Sequence, residues 1–457
     1  MGHCSSLFHN PAADQESLNK RISPSDEQME SQQARWNDLR DFLVERLSGE
    51  TSLSMRSWLQ GSYKFRTQVR PMFSGEEFDI DLGIYFKWTG SADEGDYGSD
   101  DLKLACQAAL EAYEAETEHE VLSVEPPKKN CNRIRFKGDF HIDVPVYHLD
   151  EPQDTRTLAS EDGWVDSDPK AIYLWFRDRF ADADRAVVRR LIRYLKAWSI
   201  LRYRDEDGRP SSILLTVLAA DACASANVDA SWADDDALEA CLQEIVTRLE
   251  ADTEVLNPVD TGENLSRLST SEMTTLVERF RDSLATAQRA NAKGTSLAGA
   301  FVWQELFGHF FPLPEDEAVA KSDSSLPALY PQPDVIVDVT EPNGARSQST
   351  NKVGPVPKRA KLRFTVLNLD SFPRGSKVQW MVRNTGDEAS RINDLGHTSQ
   401  TGPLAEESTA YNGRHFMDCM VVLDGNLIAI RRIPVFVNNS QYLKKTRGGR
   451  PAWTGLR

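Results

Sequence analysis

No two of the six cysteines, at positions 4, 106, 131, 223, 241 and 419, form a Cys-x-x-Cys pair, so neither a zinc site nor a redox motif is indicated. A disulfide framework is not indicated either, and a reducing, cytoplasmic setting fits this usage. The chain lacks an apolar run of about 18 residues, so no transmembrane helix is expected. Positive charge is scarce: 53 Lys and Arg against 70 Asp and Glu leave a net charge of −17. A field of that sign repels polyanions, which argues against a large nucleic acid or an acidic membrane surface as partner. Small phosphorylated substrates stay open, because a local basic pocket with a metal ion outweighs a distant field. The start, MGHCSSLF, has no signal-peptide pattern. Gly2, Ser6 and the neighbouring Cys4 match the loose myristoylation pattern, with a flexible N-terminus as the plainer reading.

With 457 residues, two or three domains are expected. Trp36, Leu39, Phe42, Leu43 and Leu47 recur at helical spacing and predict a helix over 25–48. Further helices are expected at 101–116, from Ser167 (with Ser167 or Asp168 as cap and Pro169 in the first turn), and at 185–203, 213–224, 236–250, 270–291 and 297–307. Strands are expected at 78–87, 131–137 and 139–148. Residues 312–360 are rich in Pro, Ser, Asp and Lys and read as a linker with one short strand at DVIVDV. From 361 to 438 the pattern turns to strands, an all-β sandwich-like module, followed by a basic flexible tail at 439–457. There is no internal repeat.

The stretch FDIDLGIYF alternates. Phe78, Ile80, Leu82, Ile84 and Phe86 take one face, which leaves Asp79 and Asp81 together on the other, about 7 Å apart. In FHIDVPVY, Asp143 shares its face with His141 and Tyr147. If the two strands pair, three carboxylates converge. Alternating acids on a strand are commonly plain solvated charge. Here, however, Gly61 and Ser62 lie upstream, a glycine that lets backbone approach a ligand and a serine that donates to phosphate. Hard oxygen ligands of this kind suit Mg²⁺ or Mn²⁺. His141 reads as a supporting or structural histidine rather than a general base.

QGSYKFRTQVRP, FDIDLGIYF and FHIDVPVY together resemble the nucleotidyltransferases of the polymerase-β type, and more narrowly the bacterial cGAS/DncV-like nucleotidyltransferases. SWLQGSY, SDPKAIYLWF, RRLIRYLKAW, GRPSSILLTVLA and VLNPVDTGENL extend the resemblance. The C-terminal block WMVRNTGDEA to DGNLIA is similar to the sensor domain fused to some members. The resemblance implies an α+β fold. A bilobed polymerase-β-type core with a helical lobe fills 25–311, after a flexible segment at 1–24, and the β sensor domain fills 361–438. It implies an enzyme of anti-phage signalling that makes a cyclic oligonucleotide from nucleoside triphosphates, ATP first and GTP next, for a downstream effector protein.

By the same resemblance, Asp79, Asp81 and Asp143 hold the metal, and Asp143 takes the proton of the attacking hydroxyl. Gln60, Gly61, Ser62 and Tyr63 match the loop that holds triphosphate and base. Lys196 and Ser211, or the adjacent Ser212, match phosphate contacts. Asp260 matches a base-reading position, and Arg133 or Arg135 an arginine near the nucleotide. Arg189, Arg193 and Lys196 share a helix face that suits either phosphate or water. Tyr63 either stacks on a base or packs in the core. Trp380, Tyr411, Arg414 and His415 form either a polar aromatic pocket in the β module or, for Trp380, part of its core. The other readings are a linear oligonucleotide synthase, a nucleotidyl-transferring toxin, or a catalytically silent nucleotide sensor. The acidity disfavours large RNA as substrate or activator.

Overall fold

The computed structural model describes residues 2–12, 16–73, 75–138, 140–204, 206–314 and 330–438. Two short helices, α1 (Ser5–Phe8) and α2 (Leu18–Ile22), precede the long helix α3 (Asp26–Thr51). α3 starts on a capping box: the Ser25 hydroxyl accepts from the Gln28 amide while the Gln28 side chain accepts from the Ser25 amide. Two amides that the helix itself cannot satisfy are paired in this way. The chain divides into two compact units, residues 22–285 and residues 1–21 with 286–457.

The first unit is built on a mixed sheet. Its strands are β1 (Ser54–Gln60), β2 (Phe78–Lys87), β3 (Val121–Glu125), β4 (Asn132–Phe136), β5 (Phe140–Val144), β6 (Val146–Asp150), β7 (Thr155–Ser160) and β8 (Gly163–Asp166). The short helix α4 (Gly61–Phe65) follows β1, and α5 (Ser99–Glu116) follows β2. β1 runs antiparallel along one edge of β2, while β5 and β6 run parallel along the other. The expected strand 139–148 is therefore two strands, divided at Pro145. Pro145 has no amide to donate; its carbonyl accepts from Ile84 at 3.0 Å. The apolar face of β2 packs with Leu39, Leu43 and Leu47 of α3 and Leu102 and Leu110 of α5 in one buried cluster. Each such side chain contributes about 1.5–3 kcal/mol by burial. This packing forces Asp79 and Asp81 to the opposite face.

A helical lobe completes the unit: α6 (Pro169–Arg179), α7 (Asp182–Arg202), α8 (Ser212–Ser225), α9 (Asp234–Ala251) and α10 (Thr270–Asn291). Asp168 caps α6 by accepting from the Lys170 and Ala171 amides, and Pro169 takes the first position. α7 is tied to α9 through Asp234, which accepts from Arg190 and, at 2.6 Å, from the Tyr194 hydroxyl.

The second unit is a β-sandwich with α11 (Ser296–Phe307) and the N-terminal segment. Its strands are β11 (Val335–Thr340), β12 (Arg346–Thr350), β13 (Val353–Val356), β14 (Lys361–Val366), β15 (Lys377–Arg383), β16 (Gly396–Thr401), β17 (Leu404–Ser408), β18 (Gly413–Leu423) and β19 (Asn426–Val437). They form sheets ordered β12-β11-β14-β17 and β13-β19-β18-β15-β16, which share one core around Trp380 and Phe364. The expected linker at 312–360 thus contains three strands of this sandwich. DVIVDV is β11; β12 and β13 escape sequence reading because RSQST and VGPV carry no run of alternating apolar residues.

The described part of the segment 1–24, expected to be flexible, carries packed residues instead. Cys4, Phe8, Leu18 and Ile22 are buried. The Phe8 ring meets Trp303 and Phe311 edge-on at 4.8 and 4.9 Å. The tail at 439–457 lies outside the described residues. Among the described residues no helix is long and apolar enough to cross a membrane.

Candidate active site

The strand register brings the acids together. Asp81 pairs with Asp143 and Asp79 with His141 across β2 and β5. Carboxylate oxygens of Asp79 and Asp143 and a ring nitrogen of His141 lie within 4.8 Å of one another. The Asp79 side chain is 53% exposed and that of Asp143 14%. Burial, with the charges of Asp79 and Asp143 added, pushes the Asp81 carboxyl up to about 8. Like charges so close are tolerated only with a proton or a cation among them. The donor set is hard oxygen with one imidazole, which fits a divalent ion.

Asp143 is held on both oxygens by Arg133, with Nη2 donating at 2.8 Å. Burial opposes the Arg133 charge, but its bonds to Asp143 outweigh that and raise its pKa. The register between β4 and β5 explains the choice left open by the sequence. Arg133 lies opposite Asp143, whereas Arg135 lies opposite His141 and donates to Glu77 at 3.1 Å. His141 Nδ1 in turn meets Glu77 Oε2 at 2.9 Å. Burial opposes the charged imidazole, but Asp79 and Glu77 outweigh it and raise the His141 pKa.

Gly61 sits at φ +56° directly against Asp81. A Cβ there would lie 1.9 Å from Asp81 Oδ2, so this turn excludes every side chain. Ser62 follows and lines a cleft of about 360 Å³ with Thr67, Asp79, Lys196, Arg209 and Ser212. A neighbouring hollow of about 270 Å³ shares Lys196, Arg209 and Ser212 and adds Ser211. Lys196 is buried and donates to Thr67 Oγ1 at 3.0 Å. Burial, then the charge of Arg193, brings its ammonium down to about 7.

On the basic face of α7, the two arginines bond to backbone while Lys196 lines the cleft. Arg189 and Arg193 donate to the carbonyls of Phe65 and Arg66 at 2.9 and 2.7 Å. With Lys196 on Thr67, this face fixes the segment that follows the glycine turn.

Other expected residues take supporting places. The buried Gln60 side chain donates to the Tyr85 hydroxyl at 2.8 Å and accepts from Tyr147 at 3.2 Å. It therefore braces the floor beneath the turn. Tyr63, partly buried, packs edge-on against Trp36 and accepts from its indole at 3.1 Å. Ser211 caps α8 through the Leu214 amide. Asp260 is exposed in the hairpin formed by β9 (Leu256–Asn257) and β10 (Asp260–Asn264), accepts from the Gly262 amide, and does not line the cleft. Sequence reading understated Glu77 and Arg135, the chain of partners behind His141. The alternating pattern RIRF gave the only hint.

In the sandwich, Trp380 is core and donates to the Gly402 carbonyl. Tyr411 and His415 line a pocket of about 210 Å³, where the Tyr411 hydroxyl donates to Asp394 at 2.6 Å. Arg414 instead lies over the Phe416 and Phe436 rings.

Comparison with known proteins places these features among relatives. Residues 55–147 match the family described as cyclic GMP-AMP synthase DncV-like, nucleotidyltransferase domain. Residues 319–438 match the adenylyl/guanylyl and SMODS C-terminal sensor domain. A cyclic GMP-AMP synthase of Escherichia albertii is 29% identical over 451 residues, 97% of this chain and 98% of that protein. A c-di-GMP synthase of Roseivirga ehrenbergii is 24% identical over 242 residues, 45% of this chain and 59% of that protein. A mutant of the Vibrio cholerae di-nucleotide cyclase DncV, solved with ATP, GTP and 5MTHFGLU2, superposes with a TM-score of 0.58 at 20% identity. That match covers 67% of this chain and 97% of that one.

Proposed function

We propose, from the premise that the chain is a cGAS/DncV-like nucleotidyltransferase with a C-terminal sensor domain, that it joins nucleoside triphosphates into a cyclic oligonucleotide. ATP and GTP are the proposed substrates, and the product signals to an effector protein in anti-phage defence. The observation that carries this reading is the crowding of Asp79, Asp81 and Asp143 beside the Gly61 turn. Asp79, Asp81 and Asp143 would hold Mg²⁺, which when bound supplies charge neutralisation at the phosphates.

The chain's own residues do the rest. Ser62 donates to the triphosphate, and Lys196 and Arg209 supply positive charge from the wall of the cleft. Asp143 accepts the proton of the attacking ribose hydroxyl, while Arg133 fixes its orientation. The hydroxyl oxygen bonds to the α-phosphorus, and the bond to pyrophosphate breaks. A second such step in the same cleft closes the ring.

Incubation with all four nucleoside triphosphates and Mg²⁺, followed by pyrophosphate detection and separation of products, tests the reading. Expected are pyrophosphate and a nuclease-sensitive product without free ends. A product with a 5′ triphosphate points to a linear synthase, labelled protein or RNA to a modifying toxin, and silence under every condition to a sensor.

A further inference from the structure

His141 has a place that the three-carboxylate reading does not use. It is 8% exposed. Its Nδ1 is anchored on Glu77 Oε2 at 2.9 Å, and Glu77 is itself held by Arg135. Its Nε2 points the other way, into the acid cluster, 3.1 Å from Asp79 Oδ1. A charged ring would be ion-paired with Asp79 there. Nε2 is a buried ring atom with no hydrogen-bond partner among the described residues. A carboxylate on the far nitrogen, with the near nitrogen open toward other ligands, is how metal-binding histidines are oriented. The carboxylate oxygens that would complete the set are within 4.8 Å, on Asp79 and Asp143.

We propose that His141 Nε2 is a direct ligand to a divalent ion shared with Asp79 and Asp143, and that this nitrogen makes the centre prefer Mn²⁺ to Mg²⁺. The chemistry follows from ligand type. Mg²⁺ demands oxygen donors, whereas first-row transition ions accept imidazole, and Mn²⁺ also keeps an affinity for carboxylates. Arg135 and Glu77 are positioning residues in this arrangement, since they reach the ion only through the ring. The inference rests on the reading of the acids as a metal centre, but not on the reaction performed there.

The test is pulsed electron paramagnetic resonance of Mn²⁺ added to the tag-free full chain at one equivalent. Modulation from a directly bonded ¹⁴N is expected in the wild type. It is expected to change to the ¹⁵N pattern when only histidine is ¹⁵N-labelled, a control that needs no mutation. It is expected to vanish in His141→Asn. Mg²⁺ competition should show the Mn²⁺ preference shrinking by about 10-fold or more in His141→Asn, with a smaller loss in Glu77→Gln. Bound Mn²⁺ without nitrogen coupling in the wild type overturns the proposal, as does coupling that persists in His141→Asn or failure to bind Mn²⁺. Pyrophosphate release measured on the same samples separates the two readings. Nitrogen coupling without turnover sinks the proposed function and keeps the ligand, while turnover without coupling does the reverse.

Discussion

Asp81 and Asp418 are both aspartates set in strands away from bulk water, and their surroundings treat them in opposite ways. Asp81 stands among acids, and burial followed by the charges of Asp79 and Asp143 pushes its carboxyl up to about 8. Asp418, in the sandwich, is 0% exposed and sits between Arg383 and Arg432, the latter donating at 2.9 Å. Burial works against its charge too, but the two guanidiniums win and hold its pKa below the ordinary carboxylate value. In the sandwich two guanidiniums meet the buried acid directly, whereas Arg133 is bound to Asp143 and its charge, with that of His141, offsets the Asp81 shift only in part. Repulsion of that kind is a feature that functional sites share, and it agrees with the metal centre proposed above.

The contrast can be broken at either pole. The largest effect is expected from Asp79→Ala with Asp81→Ala, which should cut turnover on the order of 10³-fold or more, equal to several kcal/mol of transition-state stabilisation. Circular dichroism and melting should show the fold intact, because the repulsion is relieved. Parental product formation by the double variant would sink the site assignment.

Asp418→Asn attacks the other pole. It strands Arg383 and Arg432 in the sandwich and should cost about 3–5 kcal/mol of that unit's stability, read by denaturant melting of the full chain.

A subtler separation uses pH. The Asp81 pKa is raised on folding, so the native state binds its proton more tightly than the unfolded chain. Its contribution is whole below about 3.8 and is lost as pH rises toward about 8. Metal-free Asp81→Asn should therefore gain on the wild type across that window. Asp418 has the opposite sign, and its contribution is lost only as pH falls through its depressed value. A flat difference between wild type and Asp81→Asn would show that the crowding carries no electrostatic strain. The smallest signal is a proton count. Divalent ion binding at pH 7 should release part of a proton from Asp81, measured by calorimetry in buffers of different ionisation enthalpy.

Much of this contrast could be read from the chain itself. FDIDLGIYF has a strict period of two, so the faces of β2 and the pairing of Asp79 with Asp81 follow from pattern alone, and the span 78–87 matches the strand. The helix 270–291 likewise matches α10, because its apolar residues keep a helical period over six turns. What escaped depends on partners distant in sequence. Gln60 and Tyr63 sit in the QGSY motif, yet only the fold shows that Tyr85, Tyr147 and Trp36 claim their polar atoms. The basic stripe of α7 had two plausible uses in the sequence, and the bonds of Arg189 and Arg193 to the carbonyls of Phe65 and Arg66 exist only once α7 meets that segment. Residues 1–24 read as flexible because one aromatic and a few aliphatics do not announce a binding groove. Phe8 finds its groove among Trp303 and Phe311, about 300 residues away.

Pro145 stands where the second neighbour of the long β5–β6 ribbon changes. β4 pairs with residues 140–144 and β7 takes over from Tyr147, so no outer strand asks for the amide that proline lacks. The ribbon thus has a seam, with the acid-bearing half on one side and a hairpin-bearing half on the other. The β7–β8 hairpin makes no backbone pairing with the acid-bearing half, and meets it only through side chains such as Ala159 in the shared core. The spacing of the acids is therefore set by the β2–β5 register, independently of the hydrogen bonds on that flank.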